Sequence, residues 1–453
     1  MPGNIINRIK DYTFSIKKET RIQGISLKHY TLFLLILLFC KTPLFAQDTA
    51  PKRIQNIIII GNEITDDNVI LRELVIHKGD VPDQTKLQES YQRLMNLLLF
   101  NRVQMNIYPQ DEKSLVLIIE VTERLYFYPI PILTIQERDW SKWSYGLSIV
   151  NSNFRGQNEK LWAGGWLGYR PGFGIRYTDP WAGDSLHLNT GFSLQKTNFN
   201  NRTIEGMEER HILGRLSVGK WWSYIFNTSL TFHFDRIKVA SEFQDLMRSG
   251  NTTEYTFGLE LSVQYDTRDL YSYPSNGWLN VIRFFKYGFF ESYNNYENVA
   301  LDLRKYFSFG PLILAGRFYQ NSLFGEIPIY RLNYIGFEER IRGYFYTVWT
   351  GKHIQMGSFE TRFPIIPIRY ISMDLPVIPS QYLQNLKIGL SGAFFVDTGI
   401  VWVDAVEYSI SNFKTGFGFG FHIHLPYVEV FRVDVGFNRE LDSQLIFEVG
   451  VVF

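Results

Sequence analysis

The last nine residues, 445–453, constrain the fold most, because apolar side chains alternate there up to an aromatic terminus. One face of this predicted strand is wholly apolar, with Leu445, Phe447, Val449, Val451 and Phe453. A soluble protein seldom leaves such a strand as a frayed end, whereas a transmembrane barrel needs a last strand to close the circle in lipid. The terminus therefore predicts a barrel in a bacterial outer membrane.

The composition agrees with a membrane protein built from strands. Hydrophobic residues make up 45% of the chain and aromatic residues 16%. Beyond residue 46, no stretch approaches the roughly 20 consecutive apolar residues of a membrane helix. The formal net charge is +1, from 46 Lys+Arg against 45 Asp+Glu. This balance gives no electrostatic reason to expect a nucleic acid as a partner.

Residues 1–46 are expected to be a signal peptide. An apolar run over 32–40 follows a basic stretch, and Phe45-Ala46-Gln47 provides a cleavage point. The single cysteine, Cys40, lies inside this segment, so we expect neither disulfides nor thiolate metal ligands in the mature chain.

Residues 52–124 are expected to form a small α+β domain. The predicted elements are a strand over 53–60, a helix ending near 74, a helix over about 83–99, and strands over 103–108 and 114–121. This order, with Gly61-Asn62 after the first strand and an apolar helix running into Phe100-Asn101-Arg102-Val103, resembles the POTRA domain that precedes outer-membrane assembly and secretion barrels. A generic small α+β domain is the alternative.

Residues 125–453 are expected to form the barrel, because the alternation of period two recurs along them. Leu230, Phe232 and Phe234, for example, alternate with polar residues. A soluble sandwich would turn such a face inward, and a membrane barrel turns it outward. The leader, the aromatic enrichment and the terminal strand favour a transmembrane antiparallel β-barrel. At about twenty residues per strand and connection, the segment predicts roughly sixteen strands.

Five short motifs occur in order along the chain. They are Asn153-Phe154-Arg155-Gly156, Tyr177-Thr178-Asp179-Pro180-Trp181, Asp266-Thr267-Arg268-Asp269 with Pro274-Ser275-Asn276-Gly277, Ile341-Arg342-Gly343-Tyr344, and Phe395-Val396-Asp397-Thr398-Gly399. With the POTRA-like domain, they resemble the BamA/TamA family of outer-membrane proteins, also called bacterial surface antigens, over nearly the whole mature chain.

The resemblance implies a protein of the outer membrane, with its POTRA domain in the periplasm, that assists the insertion or translocation of other proteins. Its partners would be the lipid bilayer, unfolded outer-membrane or secreted clients, and accessory lipoproteins. A secretion pore of the two-partner type and a plain porin remain alternatives.

The resemblance also implies a loop inside the barrel. In the family, the loop that carries Ile341-Arg342-Gly343-Tyr344 folds back into the lumen, where its arginine meets acidic residues of the inner wall. The matching positions are Asp397 and, less directly, Glu360. A guanidinium between carboxylates makes charge-assisted contacts that lysine would not reproduce. The alternative is an Arg342 on a mobile outer loop, paired with water.

The second candidate is the seam between the first and last barrel strands. Pro129 and Pro131 each remove a backbone donor from the first segment. Weak pairing with the last strand, which holds Phe447 and Phe453, would follow. In BamA-like proteins these two strands form a gate for client strands. Alternatively, both prolines belong to a linker and pairing starts near 143–150.

The sequence indicates no enzyme, metal or nucleotide site. Gly214 to Lys220 resembles a phosphate-binding loop, but Trp221 replaces the hydroxyl that such a loop needs for its metal ion. His422 and His424 share a strand face without an apparent third ligand. There is no Gly-x-Ser-x-Gly nucleophile motif. We therefore expect no catalytic residues, no metal and no cofactor.

Overall fold

A computed structural model of the chain describes residues 51–111, 114–135, 142–183, 186–201, 204–291, 293–336, 339–344, 347–376 and 378–450. The predicted signal peptide, 1–46, and Phe453 lie outside the described residues. The described part forms one compact unit, with a small amino-terminal domain and a large sheet. None of the helices in these ranges is both long and apolar enough to cross a membrane.

The amino-terminal domain has the predicted order of strand, helix, helix, strand, strand. Its elements are β1 (Arg53–Ile60), α1 (Asp67–Leu71), α2 (Gln84–Asn96), β2 (Phe100–Pro109) and β3 (Ser114–Glu123). The sheet order is β1-β3-β2, with β1 parallel and β2 antiparallel to β3. β1 is thus an edge strand of this sheet.

Both helices begin at an aspartate and end earlier than the sequence predicts. The carboxylates of Asp66 and Asp83 accept backbone N–H groups of the first helical turn, as N-caps do. α2 ends at Asn96 because Leu98 takes a positive φ of 59°. This reversal places Leu99 and Phe100 in the domain core, where both are buried.

The large sheet contains sixteen antiparallel strands in sequence order, which confirms the predicted count. They are β4 (Phe127–Ile135), β5 (Trp143–Phe154), β6 (Glu159–Gly168), β7 (Gly172–Ala182), β8 (Leu188–Asn200), β9 (Glu208–Ser223), β10 (Phe226–Lys238), β11 (Thr253–Asp266), β12 (Gly277–Tyr287), β13 (Tyr296–Phe309), β14 (Leu312–Gly325), β17 (His353–Ile371), β18 (Leu386–Trp402), β19 (Lys414–Leu425), β20 (Glu429–Phe437) and β21 (Ser443–Val449). Two short strands, β15 (Asn333–Ile335) and β16 (Trp349–Gly351), pair within the connection between β14 and β17.

The two faces of this sheet differ as a membrane barrel requires. Phe394 and Val396 of β18 are 59% and 46% exposed on the outer face. Asp397, the next residue along the strand, points to the inner face and is 1% exposed. Glu360 and Arg362 of β17 are likewise buried on the inner side. A soluble sandwich would bury the apolar face instead, so the inverted arrangement confirms the barrel.

The sheet curves enough for the connection between β11 and β12 to contact a strand distant in the sheet order. Tyr273, between β11 and β12, donates or accepts a hydrogen bond with His422 of β19 at 3.0 Å. The described residues do not show the closure that was expected from the last strand, however. Among the described residues, β4 and β21 stand at opposite ends of the sheet and form no ladder with each other, which leaves one open seam.

The amino-terminal domain lies against one end of the sheet, called the near end here; the opposite end is the far end. The backbone N–H of Asp66 donates to the carbonyl of Gly156 at 3.0 Å, and the amide of Asn153 donates to the hydroxyl of Thr65 at 3.0 Å. The amide of Asn101 reaches the carbonyl of Tyr382 at 3.3 Å. Near-end connections therefore seat the domain.

A cavity of about 410 Å³ lies between the domain and the near end. Glu73 lines this cavity beside Arg72, whose Nε lies 3.7 Å from the Glu73 carboxylate. Burial raises the pKa of the Glu73 carboxyl to about 7, and the nearby guanidiniums only partly oppose this rise. The domain contact thus contains a carboxyl that titrates near neutral pH.

The Glu73 carboxyl should make stability depend on pH. Because its folded-state pKa lies above the unfolded value, its favourable contribution is complete below about pH 4.5 and is lost as the pH rises to about 7. The loss should be on the order of 3 kcal/mol. Unfolding by urea across this pH range should show the slope in the wild type. Glu73→Gln should flatten it; an unchanged slope in that variant would contradict the assignment.

The assignment of faces can be tested on two neighbouring residues of β10. Phe232→Arg places a charge on the outer face and should cost about 2–4 kcal/mol in a bilayer. Thr231→Arg, the matched control, points the same charge into the lumen and should cost clearly less. The free energies of unfolding in lipid vesicles would check this. Equal costs at both positions would contradict the assignment.

Candidate functional site in the barrel lumen

Arg342 lies inside the lumen and is 1% exposed. Its Nε donates to Oδ2 of Asp397 at 2.7 Å, and its Nη2 donates to Oδ1 at 2.9 Å. Its Nη1 donates to Oε2 of Glu360 at 2.8 Å. The guanidinium therefore makes a bidentate contact with the Asp397 carboxylate and a single hydrogen bond to the Glu360 carboxylate. A lysine ammonium cannot adopt this geometry.

The same guanidinium also stacks on an aromatic ring. Its Cζ lies 3.5 Å from the ring centroid of Phe395, on the strand that carries Asp397. The alternative interpretation, an Arg342 on a mobile outer loop in water, does not match this enclosure. The inward position of Asp397 follows from the alternation along β18, where Phe394 and Val396 face outward.

The loop backbone approaches the wall as closely as the side chain does. The N–H of Arg342 donates to Oδ2 of Asp397 at 3.2 Å. Gly343 has a φ of +102°, and a Cβ at this position would overlap the carbonyl of Phe437. Any other residue here would have to be strained and displaced, so the glycine permits the close approach.

The other two motif residues fix the loop on either side of the arginine. Ile341 is buried in an apolar cluster with Ile335, Ile354 and Met356. The Tyr344 hydroxyl accepts the backbone N–H of Arg439 at 3.2 Å, which ties the loop to the connection between β20 and β21. The motif thus combines one apolar anchor, one charged anchor, one tight turn and one polar anchor.

Charged residues that the sequence analysis did not select extend the cluster to the last strand. Arg342 Nη1 lies 3.4 Å from Asp434, and Arg432 Nη1 lies 3.2 Å from the same carboxylate. Arg432 then pairs with Glu448, and its Nε donates to the Gly450 carbonyl at 2.8 Å. The alternation of Arg432 and Asp434 with Phe431, Val433 and Val435 was the signal that could have identified them.

The loop has three further charged anchors. Arg340 Nη2 lies 2.5 Å from Glu448, so the last strand is held from the loop directly. On the other side, Arg317 of β14 binds Glu339 of the loop at 2.9 Å and Asp302 of β13 at 2.9 Å. Arg331 of the loop pairs with Asp235 of β10 at 2.5 Å, so the loop bridges the wall from β10 to β21.

The seam residues lie in the first strand of the sheet. Pro129 and Pro131 are both within β4, where they pair with Ile149 and Leu147 of β5. The alternative, in which both prolines belong to a linker and pairing starts later, does not match the structure. Both are exposed, as is Phe447 of β21 at 60%, while Phe453 lies outside the described residues.

The hydrogen-bond phase of β4 shows which edge the prolines affect. The N–H of Ser152 donates to the carbonyl of Tyr126 at 2.9 Å, and residues opposite each other in an antiparallel ladder alternate between bonded and non-bonded pairs. The backbone N–H and C=O groups of even-numbered residues of β4 therefore bond to β5, and those of odd-numbered residues point toward the seam. Pro129 and Pro131 thus remove two donors from the edge that would meet β21.

A sheet with an apolar outer face, a charged loop fixed in its lumen and a small α+β domain at one end defines an outer-membrane β-barrel protein. The chain belongs to the Omp85 superfamily, because the model of the Omp85 superfamily domain matches residues 153–453. A POTRA model, described as the surface antigen variable number repeat, matches residues 52–124. The predicted resemblance to the BamA/TamA type is thereby confirmed.

Curated relatives are outer-membrane assembly factors. The chain is 23% identical to the outer membrane protein assembly factor BamA of Nitratidesulfovibrio vulgaris over 384 residues, covering 79% of this chain and 45% of that protein. It is 30% identical to BamA of Neorickettsia risticii over 115 residues, covering 25% and 15%. The chain thus spans less than half the length of these relatives.

Solved structures share the fold. BamA of Haemophilus ducreyi lacking POTRA domains 1–3 has a TM-score of 0.52 at 15% identity, over 88% of this chain and 84% of that one. CdiB of Escherichia coli has a TM-score of 0.56 at 11% identity, over 88% and 75%. At these identities the likeness concerns the fold alone.

Removing the guanidinium should destabilise the barrel strongly. Arg342→Ala leaves Asp397 and Glu360 buried without their counter-charge, which should cost about 3–5 kcal/mol. Arg342→Lys should recover only part of this, because lysine cannot fork onto Asp397. Urea unfolding in detergent micelles would measure both.

The matched control is Arg248→Ala, which breaks the exposed pair with Glu326 at the far end. This variant should lose no more than about 1 kcal/mol. If Arg342→Ala and the control were equally stable, the assignment of the lumen cluster as the anchor of the loop would be wrong.

Proposed function

We propose that this protein assists the insertion of other β-barrel proteins into the outer membrane, and that a client strand pairs at the seam between β4 and β21. The observation that supports this most directly is the asymmetry of the seam. The β21 side is held from the lumen through Glu448 and Gly450, whereas the β4 side lacks two donors.

The seam edges are physically unequal. Gly450 N–H donates to the Val430 carbonyl, so the odd-numbered residues of β21, including Phe447, direct their backbone groups toward the seam. These groups can all pair, whereas β4 cannot supply a donor at Pro129 or Pro131. Unsatisfied backbone groups in lipid cost several kcal/mol each. A client strand with a complete set of donors therefore pairs with β21 better than β4 does.

The amino-terminal domain supplies an edge for an extended client before insertion. β1 is an edge strand, and its Ile58 and Ile60 are 46% and 49% exposed. Strand addition uses such an edge, with backbone hydrogen bonds for affinity and alternate side chains for selectivity. The opposite edge strand, β2, is partly covered, because Arg102 donates to Asn385 of the near end at 3.0 Å.

This proposal also orients the molecule. The POTRA domain and the near end lie in the periplasm, the apolar face contacts the bilayer, and the far-end loops lie outside the cell. Pairing and burial alone drive insertion, so the protein acts without catalytic residues, nucleotide or metal. Unfolded clients are its partners, with accessory lipoproteins as further candidates.

Restoring the missing donors should reduce activity without damaging the fold. Pro129→Val combined with Pro131→Val gives β4 a complete edge, so the seam should close more firmly and admit fewer client strands. Replacing the native copy with this variant, followed by outer-membrane proteomics, should show many barrel proteins depleted by severalfold. The matched control is Ile130→Val. The backbone groups of this residue bond to β5, so the substitution leaves the seam edge unchanged and should have no effect.

The same experiment separates the alternatives. Loss of one secreted partner, with other barrel proteins unchanged, would instead favour a secretion pore of the two-partner type. A large conductance that does not change in Arg342→Ala would favour a plain porin. Normal client levels with a seam shown by cross-linking to be closed would overturn the proposal.

A further inference from the structure

The connection between β11 and β12, residues 267–276, carries a sequence motif that the proposed function does not use. It is much longer than neighbouring near-end hairpins such as 224–225 and 310–311. The motif residues Asp266 to Asp269 lie at the start of this connection, and Pro274 to Gly277 lie at its end.

The motif makes the connection rigid. The Asp269 carboxylate accepts the backbone N–H groups of Leu270 at 2.9 Å and Ser275 at 2.9 Å, which closes the connection on itself. Asp266 receives two bonds from the Arg268 guanidinium, at 2.9 and 2.8 Å. Gly277 has a φ of +108°, and a Cβ there would overlap the carbonyl of Thr267. The connection therefore moves as one body.

One side of this body binds the POTRA domain. The amide of Asn96, at the end of α2, donates to the Asp269 carbonyl at 3.1 Å and accepts the Tyr271 N–H at 2.8 Å. A single side chain thus bonds in both directions to the connection. Close by, the Arg93 guanidinium stacks on the ring of Tyr224 at 3.8 Å.

The other side enters the lumen. The Tyr273 hydroxyl lies 3.0 Å from Nδ1 of His422, and its ring centroid lies 4.7 Å from that of His424. Arg362 places its guanidinium 5.0 Å from the centroid of the same ring. The two histidines that shared a strand face in the sequence therefore form part of a socket for Tyr273.

The socket leads directly to the loop cluster. Arg362 Nε donates to Oε1 of Glu360 at 2.7 Å, and Glu360 Oε2 accepts from Arg342. All three side chains are at most 1% exposed. Side chains packed this tightly cannot shift independently, since a small displacement breaks a charged contact that water cannot replace.

We propose that connection 267–276 is a positioning element that transmits the docking of the POTRA domain to Arg342, and through Arg342 to the last strand. A docked domain holds Tyr273 in its socket, and the socket holds Arg362, Glu360 and Arg342 in place. Withdrawal of the domain pulls Tyr273 back and loosens the loop. This deepens the proposed function by giving the seam a regulator, although the coupling itself exists without a client.

Hydrogen exchange of the Arg342 backbone amide, which is bonded to Asp397, reports the state of the loop in purified full-length protein in detergent micelles. Asn96→Ala removes the clamp between α2 and the connection, and should speed this exchange about tenfold, within the usual range of coupling between sites. Tyr273→Leu removes the hydroxyl and the aromatic ring from the socket and should speed the exchange of the Arg342 amide similarly. Melting temperatures would verify that each variant is folded.

The double variant tests transmission through Tyr273. If the connection carries the coupling, Asn96→Ala should add little to Tyr273→Leu, and a double-mutant cycle measures this non-additivity. Asn101→Ala is the matched control, because it removes the hydrogen bonds of the domain to Tyr382 and Gln384 but leaves the clamp of Asn96 on the connection in place. It should leave the Arg342 amide unchanged.

Three results would overturn the proposal: unchanged exchange in a folded Asn96→Ala variant, full additivity in the double variant, or equal effects of Asn96→Ala and Asn101→Ala. None of these measurements involves a client protein. A failure of the proposed function in insertion assays is therefore distinguishable from a failure of this coupling.

Discussion

The buried contact between Arg342 and the carboxylates of Asp397 and Glu360 is the interaction on which the rest of the structure depends. A barrel of sixteen strands encloses a lumen too wide for its own side chains to fill, so the inner face is polar and borders water, whereas the outer face contacts lipid. Carboxylates buried on the inner face need a counter-charge. The guanidinium of Arg342, on the long loop, neutralises carboxylates from several strands at once. The loop thereby braces the wall from within.

This brace is unevenly distributed around the barrel. It reaches from β10 to β21 through ion pairs. β4 instead pairs with β5 and has prolines at its free edge, and an ion pair between Arg124 and Glu429 ties the chain just before β4 to the start of β20. The two sides of the seam therefore differ in both rigidity and hydrogen-bonding capacity. The edge of β21 therefore offers backbone donors and acceptors that β4 cannot fully match.

Local patterns in the sequence predicted much of this arrangement. The alternation of side chains predicted the strands, the length of residues 125–453 predicted their number, and the order of elements in the POTRA domain followed from caps and helical spacing. The helix ends were wrong by a few residues, because burial of Leu99 and Phe100 ends α2 early. Ile400 is 2% exposed although its parity suggests the lipid face, so alternation fails near the far end of β18. Asp434, Arg432 and Arg340 were not selected, since pairing across the lumen depends on how far the sheet curves.

The sequence by itself determined that apolar and polar side chains of most strands lie on opposite faces of the sheet, because a strand's period of two is a local property of the backbone. It also determined that Pro129 and Pro131 cannot donate. Only the tertiary structure decided that these missing donors face the seam, that Arg342 meets carboxylates of three strands, and that Tyr273 lies between the POTRA domain and the loop. Those relations depend on register and curvature, which bring together residues far apart in the chain, and no local pattern encodes such distances.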